Sequence, residues 1–359
     1  MQPLVRNNLF KAAVLEKLHE PFAIRQLEVP QNLSVGQVLV RIKYSGVCGS
    51  QLGEQDGVKG PNKYLPHCCG HEGGGRVVAS GPGVRAVKPG DHVVIHWRKG
   101  AGIESQYPKY WCPELRYEIG GGANTTWQEM SVISENRLTK IDKDIPLDIA
   151  ALLGCAVCTG LGVVANDLQV KMGQSVVVIG CGGVGLNILQ GCLLANAYPV
   201  IGIDINEQKL QQAIVFGATQ ILNGKTCDAE SLLHAVKLHT NGGADFVIDT
   251  TGSAAAMQSA WNMTNKTGRV CLVAQLRHDQ YLPLQTLPLH TGKTIIGSDG
   301  GGTNPTEDIP RYIKLLKAGR LNLRGLISHR TNLDGINATL DLVRAGKASR
   351  CIIEMADSR

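Results

Sequence analysis

The segment Gly180-Cys181-Gly182-Gly183-Val184-Gly185 follows an all-apolar run, Val176–Ile179, and opens a stretch with helical spacing. A chain that turns this sharply from a buried strand into a helix is committed to a strand–helix–strand unit on a parallel sheet. Gly180 permits the turn, Gly182 lets the backbone approach a pyrophosphate, and Gly185 lets helix and strand pack closely. The helix start, with Gly183 and Val184 in its first turn, offers free N–H groups to phosphates. The next strand ends in Asp204, 19 residues after Gly185, where an acidic side chain accepts hydrogen bonds from ribose hydroxyls. Its charge repels a 2′-phosphate and positions 205–208 hold no Arg, so the pattern selects NAD over NADP. A lone glycine motif would read equally well as a ligand-free turn. The complete unit does not.

The same rhythm continues along the chain. Strand Ser175–Ile179 is followed by a helix to about Ala197, strand Val200–Asp204 by helix 206–216, and Gly217 closes that helix. A short strand holds Ile221. Helix 229–239, strand Phe246–Asp249, helix 253–263 and strand Arg269–Val273 complete a doubly wound α/β pattern. The first 150 residues instead read as β-rich, with runs at Val38–Ile42, Gly75–Val78 and His92–Ile95 bounded by Gly and Pro. Helices near Pro310–Ala318 and Leu333–Ala345 and a strand at Cys351–Glu354 end the chain. There is no internal repeat.

Composition narrows the function classes. The 359 residues carry a net charge of +6, but Lys and Arg are scattered rather than gathered on a basic face, which argues against nucleic acid as a partner. No run approaches the ~20 apolar residues of a membrane span. The start, MQPLVRNNLFKAAV, lacks the apolar core of a signal peptide, so the expected location is cytoplasmic. Eleven cysteines, an odd number, then argue against a disulfide framework, and most are expected to pack as small hydrophobes.

A second constellation carries chemistry: Gly46-Val47-Cys48-Gly49-Ser50, Gly70-His71-Glu72 and Gly154-Cys155. Two thiolates and one imidazole are a donor set for a catalytic zinc with one open position. Taken singly, each cysteine reads as core. Taken with KPGDHV (88–93), GCAVCTGLG (154–162), VVVIGCGGVGL (176–186), GIDINEQKL (202–210) and NGGADFVID (241–249), the chain resembles the zinc-containing medium-chain alcohol dehydrogenases along nearly its whole length.

The resemblance implies a β-rich GroES-like catalytic domain from residues 1–156 and 299–359, around a Rossmann NAD-binding domain at 157–298. It implies that Cys48, His71 and Cys155 ligate the catalytic zinc and that Ser50 takes the alcohol proton. It places Thr159 at the nicotinamide, Lys209 near the adenosine ribose and Arg350 near the pyrophosphate. Trp97 and Trp127 fall near positions that line the family's alcohol pocket, with ordinary core Trp as the rival reading. The implied reaction is reversible oxidation of a small-molecule alcohol to an aldehyde or ketone, in a homodimer or homotetramer. Alternatives are a polyol, sugar or nucleotide-sugar dehydrogenase of the same superfamily, and a non-catalytic NAD- or zinc-binding redox sensor.

Departures from the family pattern are informative. Segment 97–122 holds only Cys112 where the family's structural zinc lobe has four cysteines, so one zinc is expected and a disordered or refolded loop replaces the lobe. Gln51 stands where an Asp usually supports the zinc-bound His, and Gly53 stands where classical members carry a proton-relay His. Glu72 lies behind the zinc in classical members and ligates it in the polyol branch; Cys155 favours the first position for it here. Cys68, Cys69, Cys158 and Cys181 read as packing thiols, and His67 as a satisfied loop histidine.

Overall fold

The computed structural model describes residues 8–356 and divides into two compact units. One spans the chain up to Cys155, with Asn304–Gly319 and Leu323 onward; the other is Ala156–Thr303 with Arg320–Asn322.

In the second unit, β1 (Val176–Ile179), β2 (Val200–Asp204), β3 (Gln220–Asn223), β4 (Ala244–Asp249), β5 (Thr264–Leu272) and β6 (Thr294–Gly297) form one parallel sheet in the order β3-β2-β1-β4-β5-β6. The order reverses next to β1, and the crevice outside the strand ends at such a switch point is where α/β sheets bind nucleotides. β1 is buried throughout, as a central parallel strand must be. The doubly wound class read from the sequence is the observed one.

The first unit is β-rich. Gln37–Val47 is the spine of a seven-stranded sheet and pairs with Gly73–Ser80, Met130–Ser134 and, antiparallel, Cys351–Glu354. Cys351 lies opposite Val47, so the last strand of the chain closes the sheet begun near its start. A second, five-stranded sheet runs Ala23–Glu28, Leu9–Leu15, His67–Cys68, Tyr117–Gly120, Lys109–Cys112.

Segment 97–122 is refolded rather than disordered. Lys109–Cys112 and Tyr117–Gly120 pair as a hairpin, and Cys112 is buried in an apolar cluster with Phe10, Cys68, Tyr110 and Ile119. That single thiol therefore packs as core. Several helical segments differ from the sequence reading. Gly49–Gln55 and Leu147–Leu153 are only seven residues each, too short to show a helical period, and Ala156–Gly162 runs on as a π-helix over Val163–Asp167. The helix expected to begin at Pro310 begins at Pro305 and contains Pro310, so the proline is not its start signal.

His96 adds a pH dependence to the first unit. Its Nδ1–H donates to the Arg98 carbonyl at 2.7 Å and its Nε2 accepts from the Thr139 hydroxyl at 3.0 Å, the pattern of a neutral ring. Burial pushes its pKa from 6.5 down to about 4. The unfolded chain therefore binds the proton first as pH falls. The stability linked to His96 is complete above pH 6.5 and declines toward pH 4 by about 3 kcal/mol. Urea midpoints at pH 7 and 4.5 should differ accordingly, and His96→Asn should flatten that difference. An unchanged pH slope in the variant would refute the assignment.

Candidate functional site

Cys48 ends the long strand Gln37–Val47 and caps the helix Gly49–Gln55. His71 and Glu72 lie on the segment leading into Gly73–Ser80, and four interactions pin that segment. The Glu72 carbonyl accepts from the Gly46 amide, the Ser45 hydroxyl and the Thr126 hydroxyl, at 3.0–3.2 Å. The Asn124 amide donates to the His71 carbonyl at 3.1 Å. Cys155 follows a glycine for a steric reason: a Cβ on Gly154 would lie 2.1 Å from the Ile95 carbonyl oxygen. Only glycine lets this stretch press against the sheet and deliver Cys155 to the others.

The ligand atoms of Cys48, His71 and Cys155 all fall within 4.8 Å of one another, and His71 Nε2 lies 3.2 Å from Cys155 Sγ. A tetrahedral zinc with ordinary Zn–S and Zn–N distances holds such a pair ~3.6 Å apart. The geometry and the two-sulfur, one-nitrogen donor set both fit zinc. A hydrogen bond from Cys155 holds the Cys48 thiol well below its usual range against the opposing effect of burial. That contact, together with burial, pushes Cys155 well up. Burial opposes charge on His71, but its hydrogen bond to Cys48 and the charge there raise its pKa.

Gln51 supports the trio from the helix. Its Oε1 accepts the Cys48 N–H at 3.0 Å while its amide nitrogen meets His71 Nδ1. A neutral amide therefore occupies the place of the expected carboxylate. Ser50 is exposed in the first turn of the same helix.

Glu72 is fully buried, and its Oε1 pairs with Arg350 Nη1 at 2.8 Å. The same Nη1 donates to the Val47 carbonyl at 3.0 Å. Arg350 is 3% exposed and serves as counter-charge to Glu72. Trp127, expected in the substrate pocket, is fully buried; its indole N–H donates to the Gly46 carbonyl at 3.1 Å and its ring stacks edge-on against Phe22. It belongs to the core that carries Cys48. Trp97 is half-buried, with the Arg98 guanidinium 5.8 Å from its ring centre. Arg350, Asn124 and Thr126 went unread as supports because contacts across such sequence separations leave no local pattern.

In the second unit, Gly180 has φ +94° and a Cβ on Gly185 would lie 1.9 Å from the Gly180 carbonyl oxygen. Around Gly182 a Cβ would meet nothing within 4 Å, which is open space for a phosphate above the N-terminus of helix Gly183–Leu194. Asp204 accepts from the Cys181 and Asn206 amides at 2.8 and 2.9 Å, fixing the carboxylate at the end of β2. Lys209 sits half-buried in the first turn of Glu207–Val215. Thr159 is buried on Ala156–Gly162. The Cys181 thiol is buried under the turn, and burial pushes its pKa up to about 12. Gly185→Ala is expected to push the helix off β1 and weaken NADH binding by at least ~10-fold, about 1.4 kcal/mol, measured by fluorescence titration. Unchanged affinity would contradict the close-packing role.

Comparison with known proteins finds matches in both units. Residues 34–143 match the family model described as alcohol dehydrogenase GroES-like domain, and residues 183–318 match that described as zinc-binding dehydrogenase. The S-(hydroxymethyl)glutathione dehydrogenase of Paracoccus denitrificans is 30% identical, with 96% of this chain and 99% of the relative covered. Alcohol dehydrogenase 2 of Zea mays is 31% identical, with 97% of each chain covered. The chain belongs to the zinc-type medium-chain dehydrogenase/reductase family. Its fold matches benzyl alcohol dehydrogenase from Acinetobacter calcoaceticus with a TM-score of 0.85, at 28% identity over 98% of this chain and 100% of that one. A zinc-binding alcohol dehydrogenase domain protein from Burkholderia ambifaria gives 0.88 at 26% identity, with 97% and 99% covered. As a member of this family the chain is an enzyme, a zinc-dependent, NAD-linked oxidoreductase of the alcohol dehydrogenase type. Among the described residues no single helix is long and apolar enough to cross a membrane.

Proposed function

We propose that the chain oxidises a small-molecule alcohol to an aldehyde or ketone, reversibly, with Cys48, His71 and Cys155 holding the catalytic zinc. The convergence of those three ligand atoms within 4.8 Å carries the reading. When bound, zinc supplies a Lewis acid for the substrate oxygen, and NAD supplies the hydride acceptor. The chain's own groups do the rest. Ser50, exposed two residues after Cys48, takes the hydroxyl proton as it passes its own to solvent water. Gln51 orients His71. Glu72 stays behind the trio as a positioning residue, because its Oε1 is engaged by Arg350 rather than by a ligand atom of the site. That pairing favours an alcohol dehydrogenase over the polyol reading, in which the Glu would itself ligate.

On the cofactor side, Gly180, Gly182, Gly183, Val184 and Gly185 receive the pyrophosphate, Asp204 and Lys209 the adenosine ribose, and Thr159 the nicotinamide. The fixed Asp204 carboxylate supports NAD over NADP. Titrated by fluorescence, NADH should bind at least ~30-fold tighter than NADPH, about 2 kcal/mol, and Asp204→Asn should narrow the gap. Tighter NADPH binding would overturn the assignment. Substrates named for relatives, benzyl alcohol and S-(hydroxymethyl)glutathione, are the first to screen.

A homodimer or homotetramer is supported by the edge strand β6 and by Tyr281 and Leu287, 86% and 72% exposed on the segment before it. A cytoplasmic location is supported by eleven cysteines that all stand as thiols.

A further inference from the structure

A second group of ligand-type side chains converges in the first unit. Glu54, His67 and Cys69 offer a carboxylate oxygen, an imidazole nitrogen and a sulfur, all within 4.8 Å of one another. The sequence sends none of them there by pattern; the local fold does. His67–Cys68 pairs with Leu9–Leu15, Cys68 opposite Val14, so alternate side chains take opposite faces. Cys68 enters the apolar cluster around Tyr110 and Cys112, which leaves His67 and Cys69 to the other side. Glu54 arrives from the helix Gly49–Gln55, three residues after Gln51 and hence on the same helical face. One short helix thus presents Gln51 to His71 and Glu54 to His67 and Cys69.

Glu54 Oε1 lies 3.3 Å from His67 Nε2, and Cys69 Sγ lies 3.8 Å from both Glu54 Oε2 and His67 Nδ1. The plain alternative is an ion pair between Glu54 and His67. In it the Cys69 thiol donates to Glu54 Oε2, which already sets the sulfur on the carboxylate whose other oxygen faces His67 Nε2. The histidine is nevertheless prepared as a ligand. Its Nδ1–H donates to the Cys68 carbonyl at 2.8 Å, the backbone contact that orients metal-bound imidazoles and leaves Nε2 as the donor. At present Nε2 receives the Asn62 amide at 2.9 Å, a contact that an ion would displace. The Glu54 side chain is 37% exposed, which provides an entry path and room for a water ligand.

We propose that Glu54, His67 and Cys69 form a second divalent-metal site, separate from Cys48, His71 and Cys155. The mixed S, N, O donor set suits zinc and its soft or borderline neighbours and disfavours Mg²⁺ and Ca²⁺, which prefer all-oxygen ligands. An ion there ties the helix to the 67–71 segment and so braces Gln51 against His71. The site lies outside segment 97–122 and uses none of its residues. The inference does not depend on the roles proposed for Cys48 and Cys155.

The test is zinc content by mass spectrometry on the reduced, full-length protein after incubation with Zn²⁺ and desalting, with excess Mg²⁺ present. Glu54→Gln and Cys69→Ser are each expected to lower the content by one zinc per chain relative to wild type. Cys155→Ala should remove a different zinc, so that Cys155→Ala combined with Glu54→Gln binds none. Should Cys69→Ser fold poorly, Glu54→Gln, at a half-exposed position, decides alone. Zinc content unchanged by Glu54→Gln overturns the proposal whatever happens at Cys155.

Discussion

Cys155→Ala is expected to release the zinc held with Cys48 and His71 and to lower kcat/KM for NAD-linked alcohol oxidation by at least ~10³, about 4 kcal/mol. The effect is large because the site keeps only two donors, and an ion bound by two donors neither stays nor polarises an oxygen. Cys48 is the more tempting target, but it also caps a helix and its amide is held by Gln51, so its loss confounds chemistry with structure. Cys155 is 7% exposed and delivered by a glycine that has to remain, so alanine in its place leaves the backbone intact. NADH affinity reads the second unit and should change little. Zinc content, kcat/KM and NADH affinity together separate loss of the metal from loss of the fold. Retained zinc with full activity would refute the ligand assignment.

Arg350→Met is expected to be the most destabilising change in the first unit. Glu72 is fully buried with the Arg350 guanidinium at 2.8 Å, and removing the cation leaves a carboxylate stranded in a low-dielectric interior. Breaking such a pair costs roughly 3–5 kcal/mol, whereas replacing both members with apolar groups is often close to neutral. The double variant Glu72→Met/Arg350→Met should therefore recover most of the loss in thermal unfolding, where the single variant loses on the order of 10 °C. A residue devoted to pyrophosphate would behave differently. Its loss would weaken NADH binding with little change in stability, and Glu72→Met would rescue nothing.

The parts of this enzyme that lie close together in sequence were readable in advance. The glycine turn, β1, β2 and Asp204 occupy one stretch of chain, and steric necessity writes them into the residue types: a Cβ on Gly185 has nowhere to go. The candidate metal ligands stand out only as a set, because Cys48, His71 and Cys155 come from three separate segments and each alone looks like core. What surrounds them was not readable. The pairing of Glu72 with Arg350 joins residues 278 positions apart, and no periodicity records it. Of the two readings open for Trp127, pocket and core, the fold selects the core. Its position beside a family pocket is a property of alignment, whereas its burial follows from the Gly46 carbonyl and the Phe22 ring that the fold brings to it. The short helices went unread because seven residues hold fewer than two full turns.

Under the proposed function, a zinc held by Cys48, His71 and Cys155 carries NAD-linked alcohol oxidation. Chelation of the wild-type protein followed by return of Zn²⁺, with NADH formation from benzyl alcohol followed at 340 nm (roughly the nicotinamide absorbance band), tests it most directly. The expected result is loss of activity on chelation and its recovery with added zinc in the wild type, but no recovery in Cys155→Ala. Undiminished NADH formation by the metal-free protein would contradict the claim.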